Sequence, residues 1–225
     1  MAEQPATGAR TIEVWDLPLR LFHWALVLLL VSQVVTASIG GNAMEYHKLG
    51  GYSILTLVLF RIVWGFAGGR HARFADFVRA PGAAIAYARR LLRGEHSAYP
   101  GHNPLGAWSV LLMLLSLLVQ TVSGLFADDE IMTTGPLEKY VSDDTSSLLT
   151  AIHEINAGVL AVLILAHVCA VTYYLLRWRE NLVWPMITGQ KPWSGQAPEA
   201  AGATLWRALL ILVASGLAVA GLVNI

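Results

Sequence analysis

"IHEINAGVLAVLILAH", residues 152–167, is a strongly apolar run with a histidine near each end. An α-helix turns about 100° per residue and rises about 1.5 Å, so the fourteen steps from His153 to His167 make nearly four turns. The two imidazoles therefore fall within about 40° of one face, roughly 21 Å apart along the axis. The run is long and apolar enough to cross a bilayer, which takes about 20 residues. Two histidines stacked on one face, at two depths, point to two separate sites.

The rest of the chain has the same character. Of its 225 residues 56% are hydrophobic and 13% charged, against about 25% charged in a soluble domain. Apolar stretches long enough to span run from Leu17 to Ile39, Tyr46 to Phe66, Leu105 to Phe126, Leu148 to Leu176 and Leu205 to Val223. The composition excludes an ordinary soluble domain and predicts a polytopic helical membrane protein. The first ten residues are polar and the first apolar run lacks a small-residue cleavage pattern, so that run is expected to remain as an anchor. There is no internal repeat and no low-complexity tract. Cys169 is the single cysteine, which excludes an internal disulfide and a C-x-x-C-H haem attachment; it reads as a packed helix residue.

Charge is distributed by loop. Arg70, Arg73, Arg79, Arg89, Arg90 and Arg93 separate the second and third spans, with Arg177 and Arg179 after the fourth. Between the third and fourth lie Asp128, Asp129, Glu130, Glu138, Asp143 and Asp144, against Lys139. The positive-inside rule places the arginine loop and the N-terminus in the cytoplasm, and the acidic loop and C-terminus outside. Depth then sorts four histidines into an outer pair, His47 with His153, and an inner pair, His23 with His167. Each pair comes from two helices, as clamping a flat ligand from both faces requires. Haem suits this: imidazole on both axial positions makes a low-spin centre fit for electron transfer. Zinc or copper gathers its ligands at one point. A proton relay and four structural histidines are the alternatives. His71, His96 and His102 read as solvated or capping residues of the arginine loop, and Met44 as an interfacial methionine.

The stretches "VWDLPLRLFHW" (14–24), "YHKLGGYSILTLVLFRIVWGF" (46–66), "GHNPLG" (101–106) and "HEINAGVLAVLILAH" (153–167) together resemble the bacterial cytochrome b561 and hydrogenase-type cytochrome b group. The resemblance covers most of residues 12–190. It implies an all-α, integral membrane four-helix bundle binding two non-covalent haem b groups, with His23, His47, His153 and His167 as iron ligands in the pairs given by depth. The fifth apolar segment departs from the simplest members. The expected organisation is a cytoplasmic tail (1–15), a di-haem domain (16–190), and a linker with a fifth transmembrane helix (191–225), in the bacterial inner membrane.

Around the haems, Arg61 and Arg20 are candidates for the inner propionates, because a guanidinium fork matches a carboxylate; snorkelling to headgroups is the alternative. Lys48 is the outer counterpart. Asn103 reads as N-cap of the third span with Pro104 at the first helical position, or with His102 as a donor to a quinone carbonyl. Trp15, Trp24, Trp64, Trp178 and Trp184 read as an interfacial belt, and Gly50, Gly51 and Gly158 as points of close approach. The function expected is electron transfer between a quinone and an outside redox partner. A c-type cytochrome would suit the acidic loop and is the leading expectation; as an alternative, the resemblance also allows the anchor subunit of a hydrogenase or another outside-facing dehydrogenase. A superoxide-oxidising quinone reductase is disfavoured by that acidic loop, and a transporter by the lack of broken helices. Nothing in the chain calls for nucleic acid.

Overall fold

The computed structural model describes residues 10–129, 133–194 and 204–225. The chain runs through strand β1 (Arg10–Glu13), α1 (Leu17–Ile39), α2 (Ala43–Ala67), the short α3 (Phe74–Phe77), α4 (Pro81–Leu92), α5 (Pro104–Gly124), α6 (Asp143–Trp178), the short α7 (Val183–Thr188), strand β2 (Gln190–Trp193) and α8 (Leu205–Val223). Helices α1, α2, α5, α6 and α8 are long and apolar enough to cross a membrane, and they fall where the apolar runs predict. This is an all-α, multi-pass membrane bundle with an additional C-terminal helix.

Local signals set the ends. Asp16 caps α1, its carboxylate accepting from Leu19 N at 2.8 Å, with Pro18 in the first turn. Ser142 caps α6 by accepting from Thr145 N at 3.3 Å, and Asp143 and Asp144 follow in the first turn, where negative charge suits the helix dipole. Between α1 and α2 the chain reverses through Gly40 (φ 66°) and Gly41 (φ 53°). Two successive left-handed residues are open to glycine, which has no β-carbon to clash.

α1 packs along α2 and α6 along α5, while α2 is central and also contacts α5 and α8. The core lies in three levels. One end holds Ile12, Val14, Trp15, Phe22, Phe60, Trp64 and Ala208. The middle holds Ile54, Val58, Leu117 and Leu160, and the other end Leu55, Leu125, Leu137 and Val219. Because α8 supplies Ala208 and Val219, it lies along the bundle for its whole length. We call the first end the sheet end, since β1 and β2 pair there antiparallel, Arg10 opposite Trp193 and Glu13 opposite Gln190. The other is the loop end, where Lys139 Nζ donates to Ile225 O at 2.9 Å.

Three expectations need correction. Trp64 is fully buried and Trp15 nearly so; Trp64 Nε1 donates to Asp16, so neither belongs to an interfacial belt. Cys169 is exposed on α6 rather than packed. The arginine loop is not simply solvated: it folds back under the bundle, burying His71 and half-burying His96 and His102, with Nδ1 of His102 shut off from solvent.

Candidate functional site

At the loop end, the His47 and His153 rings stand with centroids 6.3 Å apart and planes at 74°. Each ring is held through Nδ1 by the helix beside it. His47 Nδ1 lies 3.3 Å from Gln33 O and 3.3 Å from Thr36 Oγ1 on α1. His153 Nδ1 lies 2.8 Å from Gln120 O and 3.4 Å from Ser123 Oγ on α5. Gly124 makes room for the second ring: a β-carbon there would stand 2.8 Å from His153 Cε1. Gly50 makes room for the Gln33 side chain, whereas Gly158 faces open space. Lys48 is ion-paired with Glu45 at 2.8 Å, one turn away.

On α6 the histidines share a stripe with that helix's buried residues. Ser146, Leu160 and Tyr174 are buried, and with His153 and His167 they recur every seven residues. At that spacing an untwisted helix drifts only about 20° per interval, so the stripe presents one face along the whole bundle.

The sheet end gathers the other charged and aromatic groups. His23 has its ring edge-on to Trp24 at 5.1 Å, and His167 is its electrostatic neighbour. His23 Nδ1 is buried with no hydrogen-bond partner. Arg61 is 2% exposed, so it does not snorkel. Its Cζ sits 5.0 Å from the Phe74 ring centroid, and both Nη1 and Nη2 are buried without acceptors. His102 lies between Trp15, at 4.7 Å, and Phe77, at 4.6 Å. Burial pushes its pKa down to about 3, and the Arg61 guanidinium, His71 and His167 add to the effect. Its Nδ1 and the Nε2 of His71 are likewise buried and unpartnered; His71 Nδ1 is held by Asp76 at 3.0 Å. Buried polar atoms normally find partners. Their concentration around Arg61 makes this a place to receive an anionic or hydrogen-bonding group.

Two further candidates are already engaged. Arg20 Nη1 donates to Ile187 O while its Nε is buried and unpartnered. Asn103 caps α5 through Gly106 N at 2.8 Å and donates from Nδ2 to Tyr174 OH at 3.1 Å. The Tyr174 hydroxyl in turn meets that of Tyr87 at 2.6 Å. Nearby, Lys191 bridges Glu180, at 2.6 Å, and Tyr99 O, at 2.7 Å, while His96 pairs with Glu180 at 2.8 Å. The roles of Gln33, Thr36, Gln120 and Ser123 are invisible in the sequence, since half of their contacts are made by backbone carbonyls. Among the described residues no three His, Cys, Asp or Glu side chains gather as a bare metal ion needs.

No solved structure matches the chain. Curated relatives do, and they share one description, "Probable Ni/Fe-hydrogenase B-type cytochrome subunit". The protein from Bradyrhizobium diazoefficiens is 20% identical, across 83% of this chain and 88% of its own. That from Rhizobium leguminosarum bv. viciae is 21% identical, across 84% and 92%. That from Azotobacter vinelandii is 24% identical, across 84% and 91%. Residues 14–189, a segment that takes in the four helices carrying or holding the histidines, match a single family throughout, and the chain belongs to the prokaryotic cytochrome b561 family of b-type membrane cytochromes.

Proposed function

We propose that this chain carries electrons across the bacterial inner membrane by holding two haem b groups, one between His47 and His153 and one between His23 and His167. The loop-end geometry carries the reading. Two imidazoles bound to one metal from opposite faces, with bonds of about 2.0 Å, put their centroids roughly 6 Å apart. The 6.3 Å between His47 and His153 agrees, and tying Nδ1 of each ring to a neighbouring helix leaves both Nε2 atoms for a metal. Bound haem b supplies reversible one-electron chemistry, kept low-spin by two imidazoles.

The surrounding residues divide the remaining work. Arg61, buried with both terminal nitrogens unpartnered, is placed to receive a propionate at the sheet end. Arg20 contributes its free Nε at the same end, although a carbonyl holds its other side. Lys48 would have to leave Glu45 to serve a loop-end propionate. The arginines of the loop after α2, with Arg177 and Arg179, make the sheet end cytoplasmic and the loop end external, so five spans leave the C-terminus outside.

The descriptions of the relatives favour a hydrogenase-type subunit as the external partner over a c-type cytochrome. A quinone is the natural partner on the cytoplasmic side. With the Asn103 amide engaged at both ends, His102 is the better-placed donor to its carbonyl.

Purified protein is expected to contain two low-spin haems b per chain. His47→Ala or His153→Ala should remove one of them, and His23→Ala or His167→Ala the other, as read by haem content and the reduced-minus-oxidised spectrum. One haem per chain, or loss of the same haem from variants of both pairs, would overturn the assignment.

A further inference from the structure

Helices α1 and α5 carry the same short device. Gln33 and Thr36 on α1, and Gln120 and Ser123 on α5, are each three residues apart, so both lie on one helix face. Thr36 Oγ1 donates to Ser32 O at 2.7 Å and stands 3.2 Å from Gln33 O. Ser123 Oγ donates to Val119 O at 2.7 Å and stands 3.2 Å from Gln120 O. In both places the hydroxyl and the glutamine carbonyl then face Nδ1 of a histidine on the next membrane-crossing helix, at 3.3 and 3.3 Å for His47 and at 3.4 and 2.8 Å for His153.

A hydroxyl has one proton, and here it is committed to the carbonyl four residues back. Its remaining capacity, like the whole capacity of the glutamine carbonyl, is to accept. Both groups facing Nδ1 are therefore acceptors, so Nδ1 must carry the proton in His47 and in His153. That fixes the tautomer and turns the lone pair of Nε2 outward. A hydrogen bond donated from Nδ1 also makes Nε2 a stronger electron donor to a metal. The sheet end is built otherwise: His23 Nδ1 is buried without a partner, and a cation, Arg61, is buried at the same end.

We infer that Thr36 and Ser123 are paired positioning residues that fix the donor tautomer of His47 and His153 and hold the loop-end haem at a lower midpoint potential than the sheet-end haem. Stronger donation from the axial rings stabilises the oxidised, more positive iron, which lowers the potential at the loop end. The buried Arg61 charge disfavours the same oxidation state at the sheet end. The inference rests on the proposed haem ligation, and it assigns a separate role to residues that touch neither iron nor porphyrin in that scheme. Thr36 should matter more than Ser123. His47 divides its Nδ1 between two equal contacts, whereas His153 keeps the short contact to Gln120 O whatever happens at Ser123.

The test is a redox titration of the full chain as wild type, Thr36→Val, Thr36→Ser and Ser123→Ala, followed by absorbance and by the electron paramagnetic resonance of the ferric low-spin haems. The loop-end signal is identified by its loss in His153→Ala. Thr36→Val keeps the shape of the side chain and removes the hydroxyl, and with it the acceptor facing Nδ1 and the local bond to Ser32 O. It should raise the loop-end midpoint potential, shift that haem's resonance and leave the sheet-end haem unchanged. Thr36→Ser should restore wild-type values, and Ser123→Ala should give a smaller rise at the same haem. A loop-end potential already above the sheet-end one, or two unchanged potentials in Thr36→Val, or a shift at the sheet-end haem, would overturn the inference while leaving the ligation intact. If Thr36→Val loses haem instead, the Ser123→Ala potential decides: a rise supports the inference and no change rejects it. Fewer than two low-spin haems in the wild type would remove the ligation itself.

Discussion

Arg61 is the side chain whose surroundings least explain themselves without an anion. A buried, unpaired charge costs several kcal/mol; Asp16 is an electrostatic neighbour, but no acceptor reaches Nη1 or Nη2. Replacing it by leucine should leave both sheet-end histidines in place while removing a positive charge near the proposed propionates. The sheet-end midpoint potential should then fall, because oxidised iron loses an unfavourable neighbour; identical potentials in both forms would make Arg61 a purely structural cation. At this scale the sequence is uneven evidence. His23, His47, His153 and His167 stand out as polar residues in apolar helices, and the cost of an intramembrane charge singles out Arg61. His102 and His71 misled, because their burial is created by Trp15, Phe77 and the returning loop, not by their own neighbours in the chain.

Among the elements, the long spans were legible because a bilayer demands some 20 apolar residues in a row. The segment between α2 and α5 was not: its short helices bury a few residues each, too few for a periodic signal. Gly65 shows what holds that segment against α2. A β-carbon at Gly65 would strike the Phe74 ring, and that ring also lies under Arg61. Gly65→Ala should therefore push α3 away from α2 and destabilise the fold by about 1–3 kcal/mol, the usual cost of overpacking. Thermal unfolding in detergent measures this, and an unchanged midpoint would mean that Phe74 rotates freely out of the way. The glycine itself reads in the sequence only as a generic helix-packing residue; its particular partner, nine positions on, depends on how the loop returns.

For the molecule as a whole, the acidic loop end is the surface next to the proposed outer haem. Some of its charge has local duties. Asp143 and Asp144 stabilise the start of α6, and Asp129 Oδ1 accepts from Thr133 N at 2.8 Å; Glu130 lies outside the described residues. Asparagine at 128, 129, 143 and 144 keeps the oxygen acceptors and removes the charges. If a basic partner docks there, this variant should transfer electrons several-fold more slowly at low salt, with both haem spectra intact. The wild-type rate should also fall as salt rises, since exposed charges are screened over about 8 Å at physiological ionic strength. An unchanged rate and salt dependence would make the loop a connector only. The β1–β2 ribbon has a consequence at this same scale. By pairing Arg10 with Trp193 it brings together the two borders of the family segment, residues 14–189. The four-helix unit is thus nearly a closed circle of chain, which α8 leaves at one border to pack along α2, and a short bridge joining the two paired strands would let new ends be opened elsewhere as a circular permutant.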